Sequence, residues 1–160
     1  MEAQAVTIDT MAAVLAEQPF FKDVEPRHLR AVAGCAANVR FDPGEFLFED
    51  GEPADKAYLL TQGQVFLELS VPGKGTVIVD TLGKGAVVGW SWLFPPYRAH
   101  LDARAANDVR AVSLDGVCLR SKCDEDAVLG YEIMKRFAAV FVSRLEITRL
   151  LFLDLYARRP

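Results

Sequence analysis

"YLLTQGQVFLELSVPGKG", residues 58–75, is the stretch whose reading decides the fold. Its centre, "QVFLELSV", sets Val65, Leu67 and Leu69 on one side and Phe66, Glu68 and Ser70 on the other. That period of two is the pattern of a strand with one buried face. The same rhythm runs outward in both directions. "GEFLFEDGE" precedes the stretch and "TVIVDTLGKG" follows it, and Gly51, Gly63, Gly73 and Gly83 recur every ten to twelve residues. Each glycine is expected to supply the positive φ of a tight turn. Many short antiparallel strands between about residues 39 and 115 therefore predict a sandwich or barrel.

Helical periods flank this region. Residues 7–38 read as helical: Met11, Val14 and Leu15 share a face, "PFFKDVEPRHL" interrupts it, and Leu29, Val32 and Ala33 resume it. Pro26, with Asp23 or Glu25 before it, marks the start of the second helix, because proline at the first helical position loses no needed donor. From about residue 116 the helical period returns. Met134, Phe137, Phe141, Thr148, Leu151 and Leu155 follow steps of three and four, Arg144 completes the series, and a second stripe runs through Ile133, Val140, Ile147 and Leu150. One small barrel cannot cover two such faces. The spacing predicts a long helix that lies on the barrel and on a second copy of itself, giving a homodimer through a short coiled coil. A helix folded back into its own monomer is the alternative.

Composition narrows the function classes. With 160 residues, 51% hydrophobic and 25% charged, the chain reads as one globular domain. A formal net charge of −4 argues against a nucleic-acid surface. The sequence shows neither a leader pattern nor an apolar run long enough to span a bilayer, so a cytoplasmic protein without membrane contact is expected. Cys35, Cys118 and Cys123 are an odd number without a CxxC, which suggests neither a disulfide framework nor a metal site; all three read as small core residues. His28 and His100 are the only histidines, and no nucleophile–base order or metal-spaced cluster accompanies them, so no enzyme and no catalytic residue is expected.

"VVGWSWLFPPYRAHLDARA", residues 87–105, holds both tryptophans, Pro95–Pro96 and the isolated Arg98. The loop is either a plug for the domain's own core or a cradle for an anion. Arg98 has a planar fork suited to phosphate, and amides of Ser91 to Leu93 at the start of a short helix could add donors. The plain alternatives are equally physical. Trp90 and Trp92 can be core, Arg98 can be a surface residue or pair with Asp102, Thr148 can fill a gap, and Arg144 can point its head outward past an apolar stem.

"FFKDVEPRHLRAVAG", "FDPGEFLFEDGEPADKAYLLTQGQVFLEL", the glycine-led loop and "DARAANDVRAVSLD" before a long helix together resemble a cyclic-nucleotide-binding domain. More narrowly, the chain resembles the sensor half of the catabolite activator protein (CRP/FNR) family over residues 18–156, most specifically in Gly44, Glu45, Gly51, Tyr58 and Gly63. The resemblance implies a mainly β fold with flanking helices: an eight-stranded double-stranded β-helix, or jelly-roll, with N-terminal helices and a long C-terminal helix. It divides the chain into a helical lead-in, 1–17, and a domain, 18–160, with the jelly-roll at about 39–115 and C-terminal helices at about 116–157.

In that family a cassette opens on glycine, here Gly89, and ends on an arginine that takes the cyclic phosphate, here Arg98. The implied ligand-binding residues are Gly89, Trp90, Ser91, Trp92, Leu93, Arg98 and Ala99 of the loop, with Arg144 and Thr148 of the helix. The implied ligand is cyclic AMP or cyclic GMP, and no cofactor or metal is required. One departure bears on this. Trp90 stands where the family has a ribose-binding glutamate, and the loop up to Arg98 is about one residue short. An indole donates one hydrogen bond and accepts none. Weak cyclic-nucleotide binding, another anionic or aromatic ligand, and a ligand-free fold all remain open. The cysteine cluster of an iron–sulfur sensor is absent, and no haem ligand is supported. The chain stops at Pro160 without a recognition helix, so a stand-alone sensor acting through a protein effector, without direct nucleic-acid contact, is expected. The competing expectation is an interaction or scaffold protein that keeps the fold and dimerises through its last helix.

Overall fold

Short strands joined by glycine turns occupy the middle of the chain, in the computed structural model, which describes residues 7–158. Residues 1–6 of the expected lead-in, and 159–160, lie outside the described residues. The order is α1 (Ile8–Ala16), a 3-10 turn (Pro19–Phe21), α2 (Pro26–Ala33), β1 (Ala36–Phe41), β2 (Phe46–Phe48), β3 (Lys56–Gln62) and β4 (Val65–Val71). It continues through β5 (Gly75–Leu82), β6 (Val87–Val88), a 3-10 turn (Ser91–Leu93), β7 (Asp102–Ala105), β8 (Val109–Asp115), α3 (Gly116–Glu125) and α4 (Ala127–Ala157).

The strands form two four-stranded antiparallel sheets, β1-β8-β3-β6 and β2-β7-β4-β5, which face each other as a jelly-roll. Leu47, Tyr58, Leu60, Val65, Leu67, Val88 and Ala111 fill the space between them. A second core lies outside the barrel. There Ala57, Leu59, Val112 and Leu114 meet Met11, Leu15, Leu29 and Val32 of the N-terminal helices and Leu129, Ile133 and Phe137 of α4. Strands β3 and β8 are thus buried on both faces, which is why "AYLL" and "AVSL" are buried without alternation, the Ser113 hydroxyl donating to the Ala37 carbonyl oxygen.

Several expectations change. The helical reading of 7–38 overruns, because β1 starts at Ala36 and pairs with β8. Alternation begins only at Asn38, since Ala36 and Ala37 carry no polar–apolar contrast to mark the start of the strand. Gly51, Gly63 and Gly73 have positive φ but Gly83 does not; Gly85, at φ 90°, makes that turn. The alternation in β4 breaks after Leu67, where the register with β5 shifts. Glu68 turns inward, 4% exposed, against the Arg104 guanidinium, while Leu69 is exposed. A carboxylate can be buried there because a charged donor meets it.

The cysteines are the plainest correction. Cys35 and Cys118 form a disulfide with their Cα atoms 5.6 Å apart, and only Cys123 is a free thiol. Pairing of Ala36 with Leu114 brings the end of α2 beside the start of α3, although the two cysteines are 83 positions apart.

Asp126 caps α4, accepting from the amides of Val128 and Leu129. Those amides, Leu129's first, hold its carboxyl below the usual carboxylate range. Leu129, Ile133 and Phe137 bury the first half of the helix. Beyond Val142 the helix leaves the core, and Leu150, Leu151, Phe152, Leu153 and Leu155 are exposed. Among the described residues no helix is long and apolar enough to cross a membrane.

Candidate ligand site

The loop after β6 is steered by Gly89, at φ 93°. A Cβ there would stand 3.0 Å from the Lys56 carbonyl oxygen and 3.4 Å from Phe48 Cε2. Only glycine suits that backbone and that close approach. The 3-10 turn Ser91–Leu93 follows, and it places the two tryptophans differently. Trp92 is fully buried, its ring edge-on to Phe137 at 5.4 Å, and Arg120 donates to its carbonyl oxygen. Leu93 joins the same core. Trp90 is half-buried, edge-on to Phe141 at 5.5 Å, with the Arg144 guanidinium 5.9 Å from its ring centre. The expectation of core tryptophans holds in full for Trp92, while Trp90 packs against the same core from its edge.

The other end of the loop is pinned mainly by backbone hydrogen bonds. Ala54 N–H donates to the Tyr97 oxygen at 2.7 Å, Ala99 N–H to the Glu52 oxygen at 2.9 Å, and Gly51 N–H to the Ala99 oxygen at 2.9 Å. The Arg98 side chain is exposed and donates to the Gly51 carbonyl oxygen at 3.1 Å. Its alternative partner, Asp102, instead accepts from Asp50 N–H.

Two small cavities open around Gly89. One of about 40 Å³ is lined by Phe48, Leu67, Gly89, Trp90, Ser91 and Arg144 among others, and His100 reaches its edge. The second, about 70 Å³, is lined by Phe48, Glu52, Asp55, Lys56, Tyr58, Gly89, Ser91 and Ala99. Burial pushes the Tyr58 phenol above its ordinary pKa. Phe48, at the end of β2, lines both cavities. Drug-sized ligands occupy roughly 300–1,000 Å³, so neither cavity holds a nucleotide as it stands. Two carboxylates against one ammonium also leave the second cavity unattractive to an anion.

A groove of about 350 Å³ runs between the β4–β5 hairpin and α4, lined by Leu67, Leu69, Val79, Asp80, Trp90, Leu101, Arg144, Thr148 and neighbours. Arg144 does not point its head outward. It forms an ion pair with Asp80, the two side chains 18% and 24% exposed. Thr148 donates to the Arg144 backbone oxygen at 2.8 Å.

The expected site residues thus fall into three groups. Gly89, Trp90, Ser91, Ala99, Arg144 and Thr148 line cavities or the groove, Trp92 and Leu93 belong to the core, and Arg98 lines none of these spaces. Reading the residues overlooked Phe48 and Asp80. Phe48 ends an unbroken apolar run, Phe46–Phe48, that marks a strand and nothing more, and Asp80 lies 64 positions from its partner. Among the described residues no group of three or more His, Cys, Asp or Glu is placed to hold a metal.

Residues 38–126 match the family model of the cyclic nucleotide-binding domain, more than half of the chain. The chain belongs to the cyclic nucleotide-binding domain family. Among its relatives is the CRP-like cAMP-activated global transcriptional regulator of Mycobacterium tuberculosis, 29% identical over 153 residues that cover 92% of this chain and 66% of that protein. The chain therefore spans just under two thirds of that relative's length. A Geobacter metallireducens protein named for cyclic-nucleotide binding has a solved structure at 30% identity and a TM-score of 0.75, covering 84% of this chain and 97% of that one. A cyclic nucleotide-binding domain of Methylobacillus flagellatus shares the fold, with a TM-score of 0.77 at 17% identity over 92% of this chain and 83% of that one. In this cyclic nucleotide-binding domain Gly89, Trp90, the 3-10 turn Ser91–Leu93 and Arg98 follow one another along the loop after β6.

Proposed function

We propose that this chain is a non-catalytic regulatory sensor module, taking a small anionic ligand at the cassette and signalling through α4. A cyclic nucleotide, cyclic AMP or cyclic GMP, is the first candidate. One observation carries the reading: backbone hydrogen bonds fix residues 97–99 against residues 51–54, at the rim of the cavity that Gly89 and Ser91 border from the other side. Only the Arg98 side chain has to leave the Gly51 carbonyl and Phe48 has to turn for a guanidinium to face an enlarged cavity. Its charge would then offset Glu52 and Asp55, and a planar fork suits a cyclic phosphate. The absent glutamate leaves the ribose to Ser91 or to water. Losing such a buried partner costs about 1–3 kcal/mol, which moves a micromolar site to tens or hundreds of micromolar.

Signalling follows from the neighbours of Trp90. Its ring touches Phe141 and lies beside Arg144, so any movement of the cassette changes two contacts of α4. Beyond Val142 the exposed apolar residues of α4 suit a second copy, and a homodimer through this half is part of the reading, as are a protein effector and a cytoplasmic setting. Titrating cyclic AMP and cyclic GMP by calorimetry tests the ligand. Heat that depends on Arg98, lost in Arg98→Ala, supports the sensor. Silence from both nucleotides favours the second reading, a ligand-free scaffold, for which the closed cavities and the engaged Arg98 speak. Sedimentation of the same samples checks the dimer, because a monomer at high micromolar concentration removes the coiled-coil part.

A further inference from the structure

The Cys35–Cys118 bond sits where three parts of the molecule meet. Cys35 lies between α2 and β1, and its carbonyl oxygen accepts from Asp115 N–H at 2.9 Å. Cys118 is in the first turn of α3, its own N–H donating to the Asp115 carboxylate at 2.8 Å. The same stretch of α3 grips the cassette. Gly116 N–H donates to the Asp55 oxygen at 2.7 Å, and a Cβ on Gly116 would stand 2.7 Å from Trp92 Cβ. Arg120 donates to the Trp92 carbonyl oxygen and lays its guanidinium 4.2 Å from the centre of the Tyr97 ring. The start of α3 therefore touches both ends of the loop, and the disulfide fixes that start to the N-terminal helices.

We propose that the Cys35–Cys118 bond is a reversible redox staple, through which a dithiol reductant loosens the cassette. Access favours one sulfur: Cys35 is 7% exposed, whereas Cys118 is half-buried. A reductant thiolate attacks Cys118 Sγ, the S–S bond breaks, and Cys35 leaves as a thiolate that takes a proton from water. The reductant's second thiol then closes its own disulfide and releases Cys118 as a thiol. Two electrons pass from the dithiol to the protein, and an oxidised small-molecule disulfide reverses the exchange. The remaining cysteine is a poor competitor. Cys123 is half-buried, and burial, with Asp124 and Asp126 nearby, pushes its thiol above its ordinary pKa. Reduction does not dismantle the barrel. The Asp115–Cys35 backbone bond and the β1–β8 register remain, and what is lost is the tether on α3.

The test needs no ligand, so its outcome is separate from that of the sensor reading. Intact protein is denatured and treated with a maleimide, then weighed by mass spectrometry. One label per chain is expected before dithiothreitol and three after it, and three before reduction overturns the bond. Native protein is then followed by hydrogen exchange. Reduction should speed exchange of amides in residues 90–99 and 116–120 at least tenfold more than it speeds those of β3 and β8, which open only with the whole fold, and oxidised glutathione should restore the slow rates. Closing a loop of this length also predicts a fall in Tm of roughly 10 °C on reduction. Cys35→Ser should behave as reduced wild type and Cys123→Ser as oxidised wild type. If Cys35→Ser does not fold, reduced wild type still gives the readout. A cassette that exchanges at one rate in both redox states overturns the switch.

Discussion

Trp92 and Arg98 belong to one loop but are held in opposite ways. Trp92 is fully buried between α3 and Phe137 of α4, with Gly116 against its Cβ. Arg98 is exposed, its backbone fixed and its head on a single carbonyl oxygen. One end of the cassette is part of the core and is held by both α3 and α4. The other carries an exposed charge held by a single hydrogen bond, which a rotamer change can redirect. On the proposed sensor reading, the first end transmits displacement and the second meets the ligand.

The largest effect should come from breaking the anchored end. Trp92→Ala empties a fully buried site and should destabilise the fold by about 3–5 kcal/mol, read from urea denaturation. A loss under about 1 kcal/mol would mean that the indole is not core and that the contrast with Arg98 is false. Gly116→Ala probes the same contact from the other side. Its Cβ would lie 2.7 Å from Trp92 Cβ and 2.9 Å from the Asp55 oxygen, so the start of α3 must shift. A loss of about 1–3 kcal/mol is expected in the same assay. Unchanged stability would show that α3 and the cassette slide freely.

Arg144 and Asp80 define a middle case, mostly buried but reachable by solvent. Arg144→Met should cost about 1–2 kcal/mol, because it leaves the Asp80 carboxylate without its charged donor. A double-mutant cycle with Asp80→Asn should show coupling above about 0.5 kcal/mol. Additive losses would mean that the pair is a surface contact and that α4 is held by packing alone.

The fold was legible in the chain because its signals are local. Period-two alternation around Val65 and Leu67 and the glycine turns at Gly51, Gly63 and Gly73 lie within a few residues of what they specify. Where the reading failed, the deciding partner is remote. Glu68 is buried because Arg104 waits on the neighbouring strand, Cys35 finds Cys118 through the β1–β8 register, and Arg144 turns inward to Asp80. The candidate loop, though not its ligand contacts, was legible to the same extent. Gly89 could be singled out from its place in the loop, but whether Arg98 faces a cavity depends on rotamers of Arg98 and Phe48, and order along a chain does not encode those.

Arg98→Ala is the smallest perturbation to the fold and the sharpest test of the comparison. An exposed arginine with one hydrogen bond to a carbonyl should alter stability by less than about 0.5 kcal/mol, since its backbone bonds to residues 51–54 persist in alanine. Its effect on a cyclic phosphate should be far larger, about ten- to a hundredfold in Kd, because charge-assisted donors are worth roughly 1.5–3 kcal/mol. Urea denaturation and calorimetry on one preparation separate the two. Arg98→Lys should retain part of the affinity, as a point charge without the fork. If Arg98→Ala instead loses as much stability as Trp92→Ala, the free end of the loop is a second anchor, and no group remains in the cassette that can move toward a ligand without cost to the fold.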